Sequence, residues 1–246
     1  MSPALPGIGR WDIRRKSGMR KAAAIIAAGG SGKRMGFAIP KPFLRLCNRP
    51  LIDYSLKELE KSSLIDSIVL VVAKKFIKQA EAMVARKKYK KVNAVVSGGP
   101  TRAQSVYNGL CAVNKDYSVV LIHDAARPLI SQRLLLKCLL PAIEKGINCI
   151  AAVPVKATIK KINLKNKHIA DTPQRKTLYE AQTPQVFQKD ELLLAYKKFK
   201  HNIRNFKDDA SLVEAAGKRV KIIESDYSNI KITTKEDLKI AEALLK

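Results

Sequence analysis

Three glycines within four positions, Gly29, Gly30 and Gly32, follow directly on the apolar run Ala22 to Ala28, and two cations, Lys33 and Arg34, come next. Glycine lets backbone N–H groups approach an anion closely and adopt positive φ, so such a turn can cradle a phosphate. The spacing matches neither the P-loop, which needs Gly-Lys-Ser/Thr after a four-residue gap, nor GxGxxG. Alone, the segment also reads as an ordinary tight turn. A further cation, Lys41, stands between Pro40 and Pro42. Positive groups are thereby expected around one mouth at the C-terminal end of the first strand, where open α/β sheets bind ligands.

Other polar residues fall where the same edge would gather them. Arg102 and Ser105 open the first turn of a helix that follows Gly98-Gly99-Pro100-Thr101. Free N–H groups and a partial positive charge at a helix start favour anions or polar ligands; the competing reading makes Thr101 and Ser105 local caps. Asp124, followed by Ala125, ends a buried strand and should present its carboxylate at the ligand edge, either to a ligand or to Arg127. Lys231 follows Asn229-Ile230 in what reads as a short apolar strand, an unhelpful place for a lysine unless it reaches a ligand.

The elements that must position these residues alternate along the chain. Strands are expected at Ala22 to Ala28, Ile68 to Ala73, Val92 to Val96, Val119 to Asp124 and Asn148 to Val155. Helices are expected at Leu51 to Leu64, Lys74 to Arg86, from Thr101, and from Ser131 to about Lys145. Continuous rather than alternating apolar strands imply a mainly parallel twisted sheet covered by helices on both faces. The pattern breaks between Thr158 and Thr183, where short β-like pieces surround a polar turn at Lys165 to Lys167. That suits a projecting β-arm, with a long surface loop as the alternative. Helices resume at Lys189 and at Asp208-Asp209, the second stopping at Gly217. A last helix is capped by Thr234 with Asp237 three residues on. The reading is one domain over 21–246, with an arm at about 158–183.

Composition narrows the function classes. Lys and Arg number 47 against 21 Asp and Glu, a net charge of +26, which raises the possibility of a nucleic-acid partner. The distribution argues against it. Around Lys74 to Lys91 the apolar residues form a helical stripe and the lysines take the remaining face, with no interleaved aromatics as stacking platforms. No run approaches the roughly 18 apolar residues of a membrane span. Four scattered cysteines without a CxxC pair make zinc and disulfides poor readings and a reducing cytoplasm the expected home; the cysteines and His123 are expected in the core. Residues 1–20 read as a basic, disordered extension: they lack the apolar stretch of a secretory signal, and Met19 stands just before the first strand.

The segment AGGSGKRMG followed by PKPFLRLCNRPLIDYSL resembles the start of sugar-nucleotide and polyol-phosphate nucleotidyltransferases. GGPTRAQSV (Gly98 to Val106), LIHDAARPL (Leu121 to Leu129), YEAQTPQVF (Tyr179 to Phe187) and SNIKITTKEDL (Ser228 to Leu238) are similar, in order and spacing, to motifs of the 2-C-methyl-D-erythritol 4-phosphate cytidylyltransferases. The resemblance covers Ala24 to Leu245. It implies a Rossmann-like nucleotidyltransferase domain, CTP and a small polyol phosphate as substrates, Mg²⁺ carried mainly by the CTP phosphates, and a homodimer with shared sites. Ribitol-5-phosphate cytidylyltransferases are the alternative family, and a nucleic-acid-binding protein on an inactive transferase fold is a more distant one.

By the same resemblance Arg34 and Lys41 stabilise charge on the α-phosphate and the departing pyrophosphate. Ala28, Gly29, Gly30, Gly32, Gly99, Arg102, Ser105, Asp124 and Ala125 would surround CTP, with Asp124 at the ribose or the metal. Thr158, Arg175, Thr183 and Lys231 would reach the polyol phosphate, the first three from a neighbouring subunit. Four departures bear on this. Ala28-Gly29-Gly30 replaces Ala-Ala-Gly, and Pro100-Thr101 replaces an acidic residue. Ala157-Thr158 replaces Asp-Thr, and Lys207 replaces a threonine. HDAARP, TRAQSV and DDASLVE favour the methylerythritol branch over the ribitol one.

Overall fold

In the computed structural model residues 19–29 and 41–245 are described. The extension up to residue 18, together with Gly30, Gly32 and Arg34, lies outside them.

The described strands are β1 (Ala22–Ala28), β2 (Arg45–Leu46), β3 (Arg49–Pro50), β4 (Ser67–Val72), β5 (Val92–Ser97), β6 (Val119–Asp124), β7 (Cys149–Pro154), β8 (Lys161–Ile162), β9 (Ile169–Asp171), β10 (Tyr179–Gln188) and β11 (Lys221–Glu224). The helices are α1 (Leu51–Lys61), α2 (Ile77–Lys87), α3 (Arg102–Ala112), α4 (Gln132–Lys145), α5 (Lys189–Lys198), α6 (Asp209–Ala215) and α7 (Lys235–Leu244). Seven strands form one sheet in the order β11-β7-β10-β6-β1-β4-β5. Only β10 runs antiparallel to its neighbours β6 and β7.

Alternate residues of each central strand feed two apolar layers, as the period of two in a strand requires. Ala24 and Ile26 of β1 and Leu70 of β4 pack with α1, α2 and α4. Ile25 and Val71 face the other way, onto α3, α5 and α6. Four of the described helix starts are fixed by side-chain caps. Thr101 accepts from the Gln104 N–H and Ser131 from the Leu134 N–H; Asp208 and Thr234 form capping boxes with Ser211 and Asp237. Gly217, at φ +87°, follows the last turn of α6.

Four expectations need correcting. The arm is shorter than 158–183: a small β8–β9 hairpin projects, while Tyr179 to Gln188 form the ten-residue β10 inside the main sheet. β11, a short strand paired on one side with β7, was not expected. Lys231 lies in a loop, not a strand. Cys138 and Cys149 are buried as expected, but Cys47 and Cys111 are exposed.

Candidate active site

The C-terminal edge of the parallel strands gathers most of the expected residues. The register sets Ala27 of β1 beside Asp124 of β6, and Ala28 beside Val72 of β4. The Ala125 N–H bonds Ala27 O at 3.1 Å, tying the loop after β6 to β1. On the other side, a Cβ on Gly29 would stand 3.2 Å from Ser105 Oγ, so the β1 turn passes close over the start of α3.

Ser105 is spent on holding this edge together. Its hydroxyl donates to Thr101 O at 2.9 Å and accepts from the Gly99 N–H at 3.1 Å, and the residue is buried. Thr101 and Ser105 therefore do act as local caps, and they fix the loop that presents Arg102. A Cβ on Gly109, one turn further along the same face of α3, would meet Ile25 Cγ2 at 2.6 Å and Val71 Cγ2 at 2.8 Å. Glycine there lets α3 sit directly on β1 and β4.

The centre of the edge is Asp124. Its Oδ1 accepts from Arg102 Nε at 2.9 Å and its Oδ2 from Lys231 Nζ at 2.5 Å. Burial alone would raise this carboxyl's pKa, but the two cations outweigh it and hold the pKa far below the usual carboxylate range. Arg102 is desolvated, yet Asp209 and Asp124 together raise its pKa further. The alternative partner, Arg127, goes elsewhere: its guanidinium donates to Asn229 O at 2.7 Å and Ala181 O at 3.4 Å.

Lys231 is aimed by its loop. The Ile232 N–H bonds Ala126 O at 2.8 Å, and the Asn229 amide donates to Gln182 Oε1 and Thr183 O. These bonds clamp residues 229–232 across the ends of β6 and β10. Thr183 itself is buried in β10 rather than borne on the arm. Its oxygen accepts from the Asp124 N–H at 3.1 Å and lies 3.0 Å from His123 Nδ1, to which it donates, while His123 Nε2 donates to Arg127 O at 3.0 Å. The tautomer follows from that network. Thr183 thus supports Asp124 within its own chain, with its O–H donated to His123.

Thr158 and Arg175 are exposed and stand apart from this cluster; Arg175 Nη1 donates to Lys156 O at 3.0 Å. Lys41 opens a short 3₁₀ turn over Lys41–Phe43. Sequence reasoning missed Asp209 and Tyr196 as parts of the site. Asp209 Oδ2 accepts from Arg102 Nη1 at 2.7 Å and its Oδ1 from Tyr196 OH at 2.5 Å. The DDASLVE motif holds the signal, but in the sequence Asp208-Asp209 reads only as a helix start. Among the described residues no group of three His, Cys, Asp or Glu side chains is placed to hold a metal ion. Both Asp124 oxygens carry cations, and residues 30–40 contain no carboxylate.

A mainly parallel sheet whose ligand edge carries glycines, cations and a carboxylate held below its usual pKa range fits an α/β nucleotidyltransferase. Residues 22–246 match the family model described as IspD, 2-C-methyl-D-erythritol 4-phosphate cytidylyltransferase, and the chain belongs to that family. It is 45% identical over 229 residues to the 2-C-methyl-D-erythritol 4-phosphate cytidylyltransferase of Alkaliphilus oremlandii, covering 92% of this chain and 95% of that one. It is 41% identical over 226 residues to the protein of the same name from Lachnospira eligens, covering 91% and 98%. Among solved structures, the 4-diphosphocytidyl-2C-methyl-D-erythritol synthase of Anaerococcus prevotii has a TM-score of 0.81 at 32% identity, covering 92% of this chain and 96% of that one. Family, transferase class and mainly parallel α/β fold are as the sequence motifs implied.

Proposed function

We propose that the chain transfers CMP from CTP to 2-C-methyl-D-erythritol 4-phosphate, forming 4-diphosphocytidyl-2-C-methyl-D-erythritol and pyrophosphate. The single observation that carries the site assignment is the Arg102–Asp124–Lys231 array at the sheet edge, 2.9 and 2.5 Å on its two sides, in a chain of this family.

A phosphate oxygen of the polyol attacks the α-phosphorus of CTP in line. A new P–O bond forms, the bond to the β-phosphate breaks, and its electron pair leaves with pyrophosphate. The attacking oxygen is already anionic, so no general base is required. The difficulty is bringing two anions together and stabilising the charge that accumulates between them, which positioned cations and backbone donors do. Lys231 is the group for the incoming phosphate: it is partly exposed and tethered to one carboxylate oxygen, so a dianion can draw it off Asp124 without moving the loop. Arg102 faces the nucleotide, and Arg34 and Lys41 meet the triphosphate. Mg²⁺ would arrive on the triphosphate and supply charge neutralisation there, with Asp124 as the candidate protein contact among the described residues.

The enzyme is further proposed to be a cytoplasmic homodimer. Among the described residues no helix is long and apolar enough to cross a membrane. The arm supports pairing: Ile159, Ile162, Leu164 and Ile169 are all exposed, and a two-stranded hairpin is marginal in water without a partner surface. Arg175 then serves the other subunit's polyol phosphate. The discriminating experiment is pyrophosphate release from CTP with 2-C-methyl-D-erythritol 4-phosphate and with ribitol 5-phosphate. The proposal expects turnover with the first at a kcat/KM well above the second; the reverse order overturns it.

A further inference from the structure

We propose that Asp209, itself held by Tyr196, is a positioning residue that fixes the plane of Arg102 for the nucleotide; this rests on the reading of Arg102 as a CTP-binding group. Arg102 is anchored along two of its edges, by Asp124 on Nε at 2.9 Å and by Asp209 on Nη1 at 2.7 Å. A planar guanidinium gripped in two places has one orientation, and the Nη2 donors are left outside both ion pairs.

Asp209 is unusually well placed to do this. It is 1% exposed and opens α6, where the partial positive charge of the helix start favours a carboxylate. Asp208 caps the same turn through Ser211. Gln185 of β10 stitches the turn to the sheet, accepting from the Ala210 N–H at 3.2 Å and donating to Asp208 Oδ2 at 2.8 Å. The remaining Asp209 oxygen takes the Tyr196 hydroxyl at 2.5 Å; that phenol is deep in the core, and burial together with the Asp209 charge pushes its pKa well up. Buried ion pairs are poor devices for stability alone, because desolvation offsets the attraction. This one stands at the ligand edge and couples α6, β10 and α3 to one arginine.

The test is steady-state kinetics with CTP as the varied substrate, on Asp209→Asn, Tyr196→Phe, Arg102→Ala and the two double variants with Arg102→Ala. Asp209→Asn should raise KM for CTP about tenfold, the scale of one charged hydrogen bond, with kcat within about threefold. Tyr196→Phe should raise KM about threefold and remains a test if Asp209→Asn fails to fold. In the Arg102→Ala background neither substitution should raise KM further, because each acts through Arg102. Multiplying effects in the double variants would overturn the proposal, as would an unchanged KM in Asp209→Asn while Arg102→Ala raises it. An unchanged KM in Arg102→Ala would remove the nucleotide-binding reading of Arg102 and the proposal together.

Discussion

Gly109→Ala should destabilise this protein, although alanine is the better helix former. At a solvent-facing helical position the exchange stabilises by up to about 1 kcal/mol. Here the new Cβ would sit 2.6 Å from Ile25 Cγ2 and 2.8 Å from Val71 Cγ2. Both neighbours are β-branched residues inside central strands, stiff at χ1 and enclosed by the core, so they cannot swing aside. Overpacking of this kind costs roughly 1–3 kcal/mol, which leaves a net loss of up to about 2 kcal/mol once roughly 1 kcal/mol of helix propensity is credited. For a domain this size the melting temperature should fall by up to roughly 4–8 °C. The double variant Gly109→Ala/Val71→Ala should lose less than the sum of its singles, since the added methyl fills space that Val71 Cγ2 vacates. The alternative relief, α3 riding outward, displaces Arg102 at its first turn and should raise KM for CTP. Thermal melts by circular dichroism decide the sign. A melting temperature at or above wild type would refute the claim that this close contact seats α3.

The other predictions address charge, protonation and assembly. Lys41→Ala and Arg34→Ala should each lower kcat by roughly 10²-fold with the fold intact, as when a preorganised charge stabiliser is removed; near-normal kcat takes the residue off the list. His123 is held neutral by burial, its pKa moved from 6.5 down to about 4. Below pH 6.5 the unfolded chain takes a proton that the folded one refuses, so stability is full above 6.5, falls as pH drops to about 4, and then levels, a loss of about 3 kcal/mol. Urea melts of wild type and His123→Gln across that window should show a steeper loss in wild type; equal slopes would contradict it. Mixed dimers of Lys41→Ala and Arg175→Ala, made by co-expression, should recover roughly a quarter of wild-type activity. About half the dimers are mixed and each of those has one intact site. Verified mixed dimers without rescue would place Arg175 in its own subunit's site.

The core strands were legible because they are uninterrupted apolar runs, and the caps because Thr101, Ser131, Asp208 and Thr234 stand where helices must start. β10 was not legible as a sheet strand. Its centre reads Gln182, Thr183, Pro184, Gln185, polar residues that a buried strand excludes unless they have partners. Each of the three non-proline side chains has one: Gln182 takes Asn229, Thr183 takes His123 and the Asp124 N–H, and Gln185 takes α6. The strand looked like a loop because it is the floor of the site. Asp124 was placed at the sheet edge from its position at the end of β6, but its partners lie 22 and 107 residues away, a pairing that no local pattern encodes. Lys231 reads as part of a strand and lies in a loop, because a short apolar stretch reads as a strand whether it pairs with a sheet or is clamped by Asn229 and Ala126.

The central claim is that the polyol phosphate's own oxygen attacks the α-phosphorus of CTP. Supplying 2-C-methyl-D-erythritol 4-phosphate labelled with ¹⁸O in its phosphate tests this most directly, with both products read by mass spectrometry and ³¹P NMR. The account predicts that all the label stays in the cytidylyl product, one ¹⁸O bridging the two phosphorus atoms, and that the pyrophosphate is unlabelled. Label in the pyrophosphate, or free CMP in place of the joined product, would contradict it.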